Sequence, residues 1–408
     1  MLFWQMAWRN VWRYRRRSAL TVLTIALGLA FNILMRGIGD GFHEQMVDNS
    51  VRAGIGHIEI HRAGYQRDPA LLKTLPDLPL VERVAPQTPH LLGYSFRVLG
   101  DGLASTAENS TGVRIIGIVP GAERSVTTID RGVIAGKFLD GQMKRPVLIG
   151  ERLAQSLSAG LNDKIVLVVQ AADGSMGAQL FRVAGIFRSG SPDLDRGVVY
   201  LLRKDAQSLF SLGDGVTEAA FLLDSSESVS EAQRFLTSRL AHAPVEVLPW
   251  YVVEPFLRQF IQLDDAFFYI IVLILFFVIA VGILNTVMMS VFERVREFGV
   301  MMALGTRPRQ VVRLVMQESA ALALLGAALG AGLGSAATIL FAATGIDLSH
   351  YAAGASALGI TTTVIRPELT AWNLIASDLS VVLVVLLVAL YPAIKAARLR
   401  PVEAIRHI

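Results

Sequence analysis

The chain has 408 residues, of which 53% are hydrophobic and 18% are charged, and its net charge is +4. A soluble protein of this length rarely carries so much apolar sequence, and the excess is concentrated in long runs that are typical of membrane spans. The chain has no cysteine, which excludes disulfides, thiolate metal sites and a cysteine nucleophile.

Residues 1–17 predict an amphipathic helix in the membrane interface on the cytoplasmic side. Trp4, Trp8 and Trp12 recur at every fourth position and share one helical face, while arginines occupy another. In such helices the indoles lie at headgroup depth and the arginines face phosphates. The alternatives are a basic leader without this structure and a cleaved signal peptide over 1–32. The length of the apolar run and the lack of a small-residue cleavage site disfavour the signal peptide.

Four apolar runs predict membrane-spanning helices: 18–41, 266–292, 313–343 and 379–395. The second would be about 39 Å long at 1.5 Å per residue, which exceeds the roughly 30 Å hydrocarbon core. The surplus indicates a helix that either continues beyond the bilayer or is tilted.

Lys and Arg residues predict the orientation of these helices, because cytoplasmic loops carry an excess of both. Basic clusters precede the first helix, separate the second from the third and follow the fourth. With four spans, all three clusters lie on one side of the membrane. The N-terminus, the segment 293–312 and the tail 396–408 are therefore predicted to be cytoplasmic, and the net-acidic stretch 42–265 and the loop 344–378 to be outside.

The stretch 42–265 predicts a large α+β domain, built as one body or as two subdomains. Short β-rich runs alternate with helical patterns such as 151–158 and 228–242. Asp173-Gly174 lies between two β-rich runs and predicts a hairpin. A boundary near 189–193 and a return of the chain through an earlier subdomain both fit the pattern.

Residue patterns for catalysis are absent. The chain has no G-x-x-x-x-G-K-[ST] phosphate loop for ATP. His57, Glu59 and His61 alternate on a predicted strand and share one face, which is compatible with a metal site. Because no fourth ligand cluster is evident, we favour a half-buried strand, and we predict neither a metal site nor a catalytic site.

The segment 293–312 predicts a short amphipathic helix, ended by Gly305, that docks into a partner's groove. The alternative is a helix that only rests on the membrane surface. Glu318, near the cytoplasmic end of the third span, is expected to pair with Arg309 or Arg313.

A glycine stripe in the third span predicts close helix packing. Gly326, Gly330 and Gly334 recur at every fourth position and would let another helix approach.

Several motifs resemble the FtsX-like or MacB-like family of ABC transporter permeases. They are Arg294-x-Arg296-Glu297-x-Gly299, Ala303-Leu304-Gly305, Glu318 opening a glycine-rich helix, Arg9-Asn10-x-x-Arg13, Gly37-x-Gly39-Asp40-Gly41 and the ending 390–406. The resemblance covers the whole chain, and the ending is its most specific part. In the outer domain, strings at 56–61, 148–154, 181–187 and 193–197 are most similar to the lipoprotein-releasing (LolC/LolE-type) branch.

The resemblance implies an α-helical membrane protein of the bacterial inner membrane with four transmembrane helices and a large α+β periplasmic domain, the type VII ABC permease architecture. It implies a permease that is not itself an enzyme and that transmits the motion of a separate ATPase, which binds ATP and Mg, to the periplasmic domain. In the lipoprotein-releasing branch this motion extracts lipoproteins from the inner membrane for delivery toward the outer membrane. The alternatives are a MacB-type tripartite exporter of drugs or peptides and a non-transporting FtsX-like signalling module.

The implied partners are two copies of an ABC ATPase, a second permease (identical or homologous), a periplasmic lipoprotein carrier and membrane lipids, with no nucleic acid. In the lipoprotein-releasing branch a protruding hairpin of a permease recruits the carrier. Here the matching stretch 172–178 is short and glycine-rich. A partner permease that supplies the hairpin, a different carrier and a different substrate are the open alternatives.

Two sets of site residues follow from the resemblance. The residues assigned to ATPase coupling are Glu293, Arg294, Arg296, Glu297, Gly299, Leu304, Gly305 and Arg307. The wall of a substrate cavity between the first and second spans is assigned by position alone to Phe31, Met35, Phe267, Phe268 and Ile271.

Overall fold

The computed structural model describes residues 9–10, 12–13, 15–67, 73–139, 143–347 and 364–398. These residues form two compact units. The membrane unit contains the described parts of Met1–Phe42, Ile261–Asp347 and Val364–Ile408, and the globular unit contains those of His43–Phe260. Within the predicted interfacial helix, residues 9–10 and 12–13 are helical, whereas Trp4 and Trp8 lie outside the described residues, as does 399–408 of the predicted tail.

Helices are numbered α1–α12 and strands β1–β12 in chain order. Within the described residues, four helices are long and apolar enough to cross a membrane: α1 (Arg15–Ser50), α9 (Pro255–Glu293), α11 (Pro308–Thr344) and α12 (Ala371–Ala397). Together with the mixed fold of the globular unit, they confirm the predicted fold class. Each helix is longer than its predicted apolar run, because the helical hydrogen-bond ladder continues through polar residues beyond the apolar stretch.

Local signals mark the ends of these helices. Proline is favoured at the first helical position, where its missing N–H costs nothing, and α11 begins at Pro308. Gly345 follows α11 with a φ of +73°, a left-handed conformation that favours glycine. α1 runs directly into a π-helical turn over Val51–Ile55.

The membrane unit is held together by an apolar core that all four long helices share. α1 contributes Ile25, Leu29 and Ile33, and α9 contributes residues such as Ile279 and Ile283. The remaining core residues of the long helices are Val287, Val291, Val311, Leu314, Val315, Ala323, Ala327, Val381, Val385, Ala393 and Ala396.

The glycine stripe of α11 packs against α1. A Cβ added at Gly326 would lie 2.7 Å from the Cβ of Ile25, and one at Gly330 would lie 2.9 Å from the Cβ of Leu29. At Gly334 it would lie 3.0 Å from the Cα of Ala30. Glycine therefore sets the distance between these two helices.

The globular unit is built on one mixed sheet. Its strands are β1 (Ile58–Arg62), β2 (Leu91–Ser105), β3 (Ser110–Ile118), β4 (Val133–Gly136), β5 (Pro146–Gly150), β6 (Lys164–Gln170), β7 (Met176–Phe187), β8 (Val198–Leu202), β9 (Glu218–Leu223) and β10 (Val245–Pro249). Their order is β10-β1-β9-β2-β3-β8-β5-β7-β4, and β6 pairs with both β2 and β7. The pairs β3–β8 and β5–β7 are parallel, and the other pairs are antiparallel.

The chain returns to its own beginning within this sheet. β1 pairs with β9 and β10, the last strands of the unit. The chain therefore returns to pair with its first strand after it has formed the rest of the sheet.

Short helices cover the sheet: α2 (Leu78–Val84), α3 (Pro120–Glu123), α4 (Glu151–Leu157), α5 (Pro192–Gly197), α6 (Arg203–Leu209), α7 (Val229–Arg239) and α8 (Trp250–Val253). Their apolar residues pack with the strands; Val81, Leu153, Leu209 and Leu236 belong to the same buried core as the strand residue Phe221.

The predicted hairpin is confirmed. β6 and β7 pair antiparallel, with Gln170 opposite Met176. Gly174 has a φ of +83° at the turn, and the backbone N–H of Ser175 donates to Oδ1 of Asp173 at 3.0 Å. The turn is tight, as its glycine and aspartate predict.

Outside this sheet, β11 (Ile346–Asp347) and β12 (Val364–Ile365) form a short antiparallel pair in the membrane unit.

Candidate functional site

The segment between the second and third long helices folds as α10 (Val295–Ala303). Its apolar residues recur at helical spacing, so Val295, Phe298 and Gly299 are buried against the membrane unit. Gly305 follows with a φ of +98°, and the N–H of Thr306 donates to the carbonyl of Met301 at 3.0 Å. This left-handed glycine ends the helix as the sequence predicts.

Two sets of charged contacts lie at the start of α10, one made by Arg294 and one by Glu293 at the end of α9. We call the residues Glu293, Arg294, Glu297 and Glu318 the α10 cluster. Arg294 is only 4% exposed, and its Nη1 donates to Oε2 of Glu318 at 2.9 Å. Its Nε donates to Oε2 of Glu297, also at 2.9 Å. Glu293 accepts from Nη1 of Arg17 on α1 at 2.9 Å. The cluster thus ties the start of α10 to α11, and the end of the preceding helix α9 to α1.

The expected pairing of Glu318 with Arg309 or Arg313 is wrong. Both arginines are exposed, whereas Glu318 is buried and pairs with Arg294. The reason is helical geometry. Arg313 lies five residues before Glu318 and Arg309 lies nine before it, so both point to other faces of α11.

The residues assigned to ATPase coupling fall into two groups. Arg296, Leu304, Gly305 and Arg307 are exposed, and the side chain of Leu304 reaches 83% exposure. Arg294 and Gly299 are buried, so neither presents a surface that a partner could contact directly. Glu293 and Glu297 lie in ion pairs at the edge of the helix.

The five residues assigned to the substrate wall do not share one environment. Phe31, Phe267 and Ile271 are exposed on the surface of the single chain, and Met35 is half-buried. Phe268 lies under the guanidinium of Arg36, 5.2 Å from the ring centre. Arg36 also donates to Asp265 at 2.9 Å, which joins α1 to α9 at this level.

The globular unit contains a group of charged residues that we call the buried charge cluster (Glu59, His61, Arg97, Glu123 and Glu218). The sequence pointed to Glu59 and His61 but not to the other three. The expectation of a half-buried strand is wrong, because Glu59 and His61 are buried together with the apolar residues of β1. β1, β9 and β2 are neighbours in the sheet, and Arg97 stands directly opposite Glu218. Arg97 donates to Oε1 of Glu218 and to Oε1 of Glu123, each at 2.7 Å, and to the carbonyl of Gly54. Charged residues within an otherwise apolar strand were the signal that could have revealed it.

Burial and charge shift the protonation of this cluster. Burial opposes the charge of Arg97, but the carboxylates of Glu123 and Glu218 outweigh it and raise the pKa of the guanidinium. Burial, with the nearby Glu59 carboxylate, raises the pKa of Glu218 to about 7. Burial also disfavours protonation of His61, but the hydrogen bond with Glu59 and the charge of Glu218 raise the pKa of its imidazole.

His57 is the residue before β1, and its protonation differs from that of His61. Its Nδ1 accepts a hydrogen bond from the N–H of Leu223 at 3.1 Å, so the ring is neutral. Burial lowers the pKa of His57 to about 4.

Comparison with known proteins gives two family matches. The model of the MacB-like periplasmic core domain matches residues 18–239, and that of the FtsX-like permease C-terminal region matches residues 269–401. The match to the periplasmic core domain alone covers more than half of the chain.

Individual relatives are distant. The chain is 24% identical to the lipoprotein-releasing system transmembrane protein LolC of Xylella fastidiosa, over 96% of this chain and 94% of that protein. It is 26% identical to the pyoverdine export ATP-binding/permease protein PvdT of Pseudomonas entomophila, over 80% of this chain and 50% of that one. It is 24% identical to the macrolide export ATP-binding/permease protein MacB of Rhodopseudomonas palustris, over 80% of this chain and 51% of that protein. The chain therefore spans about half the length of the last two.

Proposed function

Because the chain belongs to the family of ABC transporter permeases with a MacB-like periplasmic core domain and an FtsX-like C-terminal region, we propose that it extracts lipoproteins from the bacterial inner membrane for delivery toward the outer membrane. The observation that carries this proposal is the similarity to a lipoprotein-releasing protein over nearly the full length of both chains. The ATP is hydrolysed by separate ATPase subunits, one on each of two paired permeases.

The exposed side of α10 is the docking site for the ATPase. Leu304 is a large apolar residue that is exposed to solvent just beyond the end of the helix. Arg296, in the first turn of α10, and Arg307, three residues after Leu304, are also exposed. An apolar anchor with a polar rim is the usual chemistry of a helix that docks in a partner's groove. The predicted positive charge on the cytoplasmic side agrees with this location.

The α10 cluster converts docking into movement of the long helices. A force on α10 reaches α11 through the Arg294–Glu318 pair. It also reaches the adjoining end of α9, where Glu293 is paired with Arg17 of α1. α1 and α9 each include residues of both units, so neither helix ends at the unit boundary. Continuous helices are stiff, which suits them to carry motion to the periplasmic domain.

Lipid extraction requires an apolar cavity that opens and closes, because each buried methylene contributes about 0.8 kcal/mol to membrane anchoring. Phe31, Phe267 and Ile271 expose apolar surface on α1 and α9. Acyl chains would enter from the side between these helices, with Met35 and Phe268 completing the wall. Extraction is therefore mechanical work done by moving helices, and the permease contributes no catalytic group to it.

The relatives that are named as export proteins, PvdT and MacB, favour a second function. PvdT and MacB proteins are as similar in sequence to this chain as the LolC protein is. On this alternative the permease works in a tripartite exporter of small molecules or peptides, and the cavity takes soluble cargo from the periplasm.

Depletion of the permease in its native host separates the two functions. Under the lipoprotein proposal, newly made outer-membrane lipoproteins accumulate in the inner-membrane fraction after a radioactive pulse and chase. Restoring the wild-type permease restores their sorting. Normal lipoprotein sorting, together with loss of secretion of a small molecule from the same cells, would replace the proposal with the exporter.

A further inference from the structure

The buried charge cluster carries more negative than positive charge. Glu59, Glu123 and Glu218 are all 6% exposed or less, and the guanidinium of Arg97 is 3% exposed. Three carboxylates against one guanidinium leave a formal excess of two negative charges when His61 is neutral. An uncompensated charge in such a setting costs several kcal/mol, so the cluster is expected to take up protons or a cation.

The hydrogen bonds of His61 show where that cation would bind. Its Nδ1 lies 3.1 Å from the carbonyl oxygen of Thr217, which can only accept, so Nδ1 carries the proton. In the neutral ring Nε2 then has a free lone pair, yet it lies 2.8 Å from Oε2 of Glu59, which is also an acceptor. Two lone pairs at this distance repel each other unless a proton or a metal ion lies between them.

The surroundings resemble the support that metal ligands receive in proteins. A metal-bound histidine usually donates its other ring N–H to a carbonyl, and the ligating carboxylates are themselves hydrogen-bonded. His61 donates to Thr217, and Glu218 accepts from Arg97 at 2.7 Å. The ring of Tyr65 stacks on His61 with centres 4.4 Å apart, which fixes the plane of the imidazole.

From this arrangement we propose that Glu59, His61 and Glu218 bind one divalent transition-metal ion. Their ligand atoms lie within 4.8 Å of one another, and all three residues are buried. One imidazole with two carboxylates suits Zn²⁺ and neighbouring metals, and the dication removes the excess of two negative charges. The ion replaces a proton shared by His61 and Glu59 and moves Nε2 and Oε2 apart by about 0.5 Å, to the separation of two ligands on zinc.

The ion would act as a clamp between distant parts of the chain. Glu59 and His61 lie on β1, near the start of the globular unit, while Glu218 begins β9, near its end. These strands are paired, so the metal reinforces the return of the chain through the sheet. This role is independent of the cargo and stands whether or not lipoproteins are the substrate.

The test uses the full-length permease in detergent, purified without a polyhistidine tag, stripped with a chelator and dialysed against Zn²⁺. Elemental analysis should find about one zinc per chain, and Zn²⁺ should raise the thermal unfolding temperature. His61→Gln and Glu59→Gln should lower zinc affinity by at least about tenfold, as loss of a ligand or its support commonly does. The control is His242→Gln, an exposed histidine outside the cluster, which should keep the metal.

Cobalt(II) supplies a measurement on the wild-type chain that does not depend on the folding of any variant. Co²⁺ in the site should give the visible absorption of a bound, low-coordinate ion, and Zn²⁺ should displace it. The proposal is overturned if the wild-type chain holds no stoichiometric metal, because the cluster then takes up protons only. Equal zinc binding by the wild type and by His61→Gln would also overturn it, since the metal would then lie elsewhere.

Discussion

At the scale of single residues, Arg294 shows how one buried charge can organise a site. Its guanidinium contacts Glu297 within α10 and Glu318 on α11, and it lies 5.0 Å from the ring centre of Phe298. A buried pair of this kind adds little net stability compared with apolar side chains, but it is sensitive to the loss of one partner. The structural role of the pair is to hold α10 in a fixed position.

The Arg294–Glu318 pair can be tested by a double-mutant cycle. Arg294→Met leaves the buried Glu318 without this partner, and Glu318→Leu leaves Arg294 with Glu297 only, so each should lower the free energy of unfolding by up to about 3 kcal/mol. The double variant should recover most of that loss, because no unpaired charge remains. Reversible denaturation in detergent measures all three. Arg13→Met, which affects an exposed 3.7 Å contact to Glu297, is the control and should change little. Additive losses in the double variant would contradict a direct pair.

A second prediction at this scale concerns His57 and acid. The unfolded chain protonates this imidazole near pH 6.5, whereas burial lowers its pKa in the folded chain to about 4. Between pH 6.5 and pH 4 the unfolded chain therefore binds more protons at His57 than the folded chain does. The contribution of His57 to the free energy of unfolding falls as the pH falls through this range.

His57→Gln keeps a group that can accept from the Leu223 N–H but does not titrate. Between pH 7 and pH 5 the wild type should lose up to about 2 kcal/mol more stability than this variant. Urea unfolding of the full-length chain at both pH values measures the difference. Parallel pH dependence of the two proteins would show that His57 is not buried in its neutral form.

At the scale of elements, α10 presents two faces with separate tasks. The inner face is packed and ion-paired, and the outer end exposes Leu304. Leu304→Glu should therefore abolish binding of the ATPase while leaving the unfolding temperature of the permease unchanged. Co-purification of the two subunits and thermal unfolding measure these outcomes, and Leu304→Met is the control that keeps an apolar anchor. Intact co-purification of Leu304→Glu would place the docking contact elsewhere.

The packing of α11 on α1 gives a prediction with a matched control on the same helix. Gly326→Ala puts a methyl group 2.7 Å from the Cβ of Ile25, and overpacking of this kind costs about 1–3 kcal/mol. Gly332→Ala meets nothing within 4 Å. The first variant should unfold at a lower temperature than the wild type, and the second should not. Equal unfolding temperatures for the two variants would mean that α11 and α1 move apart easily and are not closely packed at Gly326.

At the scale of the whole molecule, the arrangement across the membrane is the central prediction. The chain has no cysteine, so one introduced thiol reports one position. Ser175→Cys, on the exposed β6–β7 turn, should react with a membrane-impermeant maleimide in spheroplasts. Ala303→Cys, exposed on α10, should react only after the membrane is permeabilised. Labelling of both positions from the same side would exclude transmission of force from a cytoplasmic ATPase to a periplasmic domain.

Local chemistry in the sequence determined much of this protein. Long apolar runs fixed the four long helices, because any segment in a bilayer must satisfy its own backbone hydrogen bonds. Asp173-Gly174 predicted the hairpin, and Gly305 predicted the end of α10, since both depend on backbone conformations set by one or two residues. The sequence left open whether the second span continues beyond its apolar run, and it did not predict the extension of α1 to Ser50 or of α9 back to Pro255. The reason is that a helix does not stop where its apolar residues stop.

Only the tertiary structure decided which distant residues meet. It paired Glu318 with Arg294, 24 positions earlier, and Arg97 with Glu218, 121 positions later. It also placed β1 between β9 and β10. Contacts of this kind depend on which surfaces are buried together, and the energy of burial is a property of the assembled core that the periodicity of a short segment does not record.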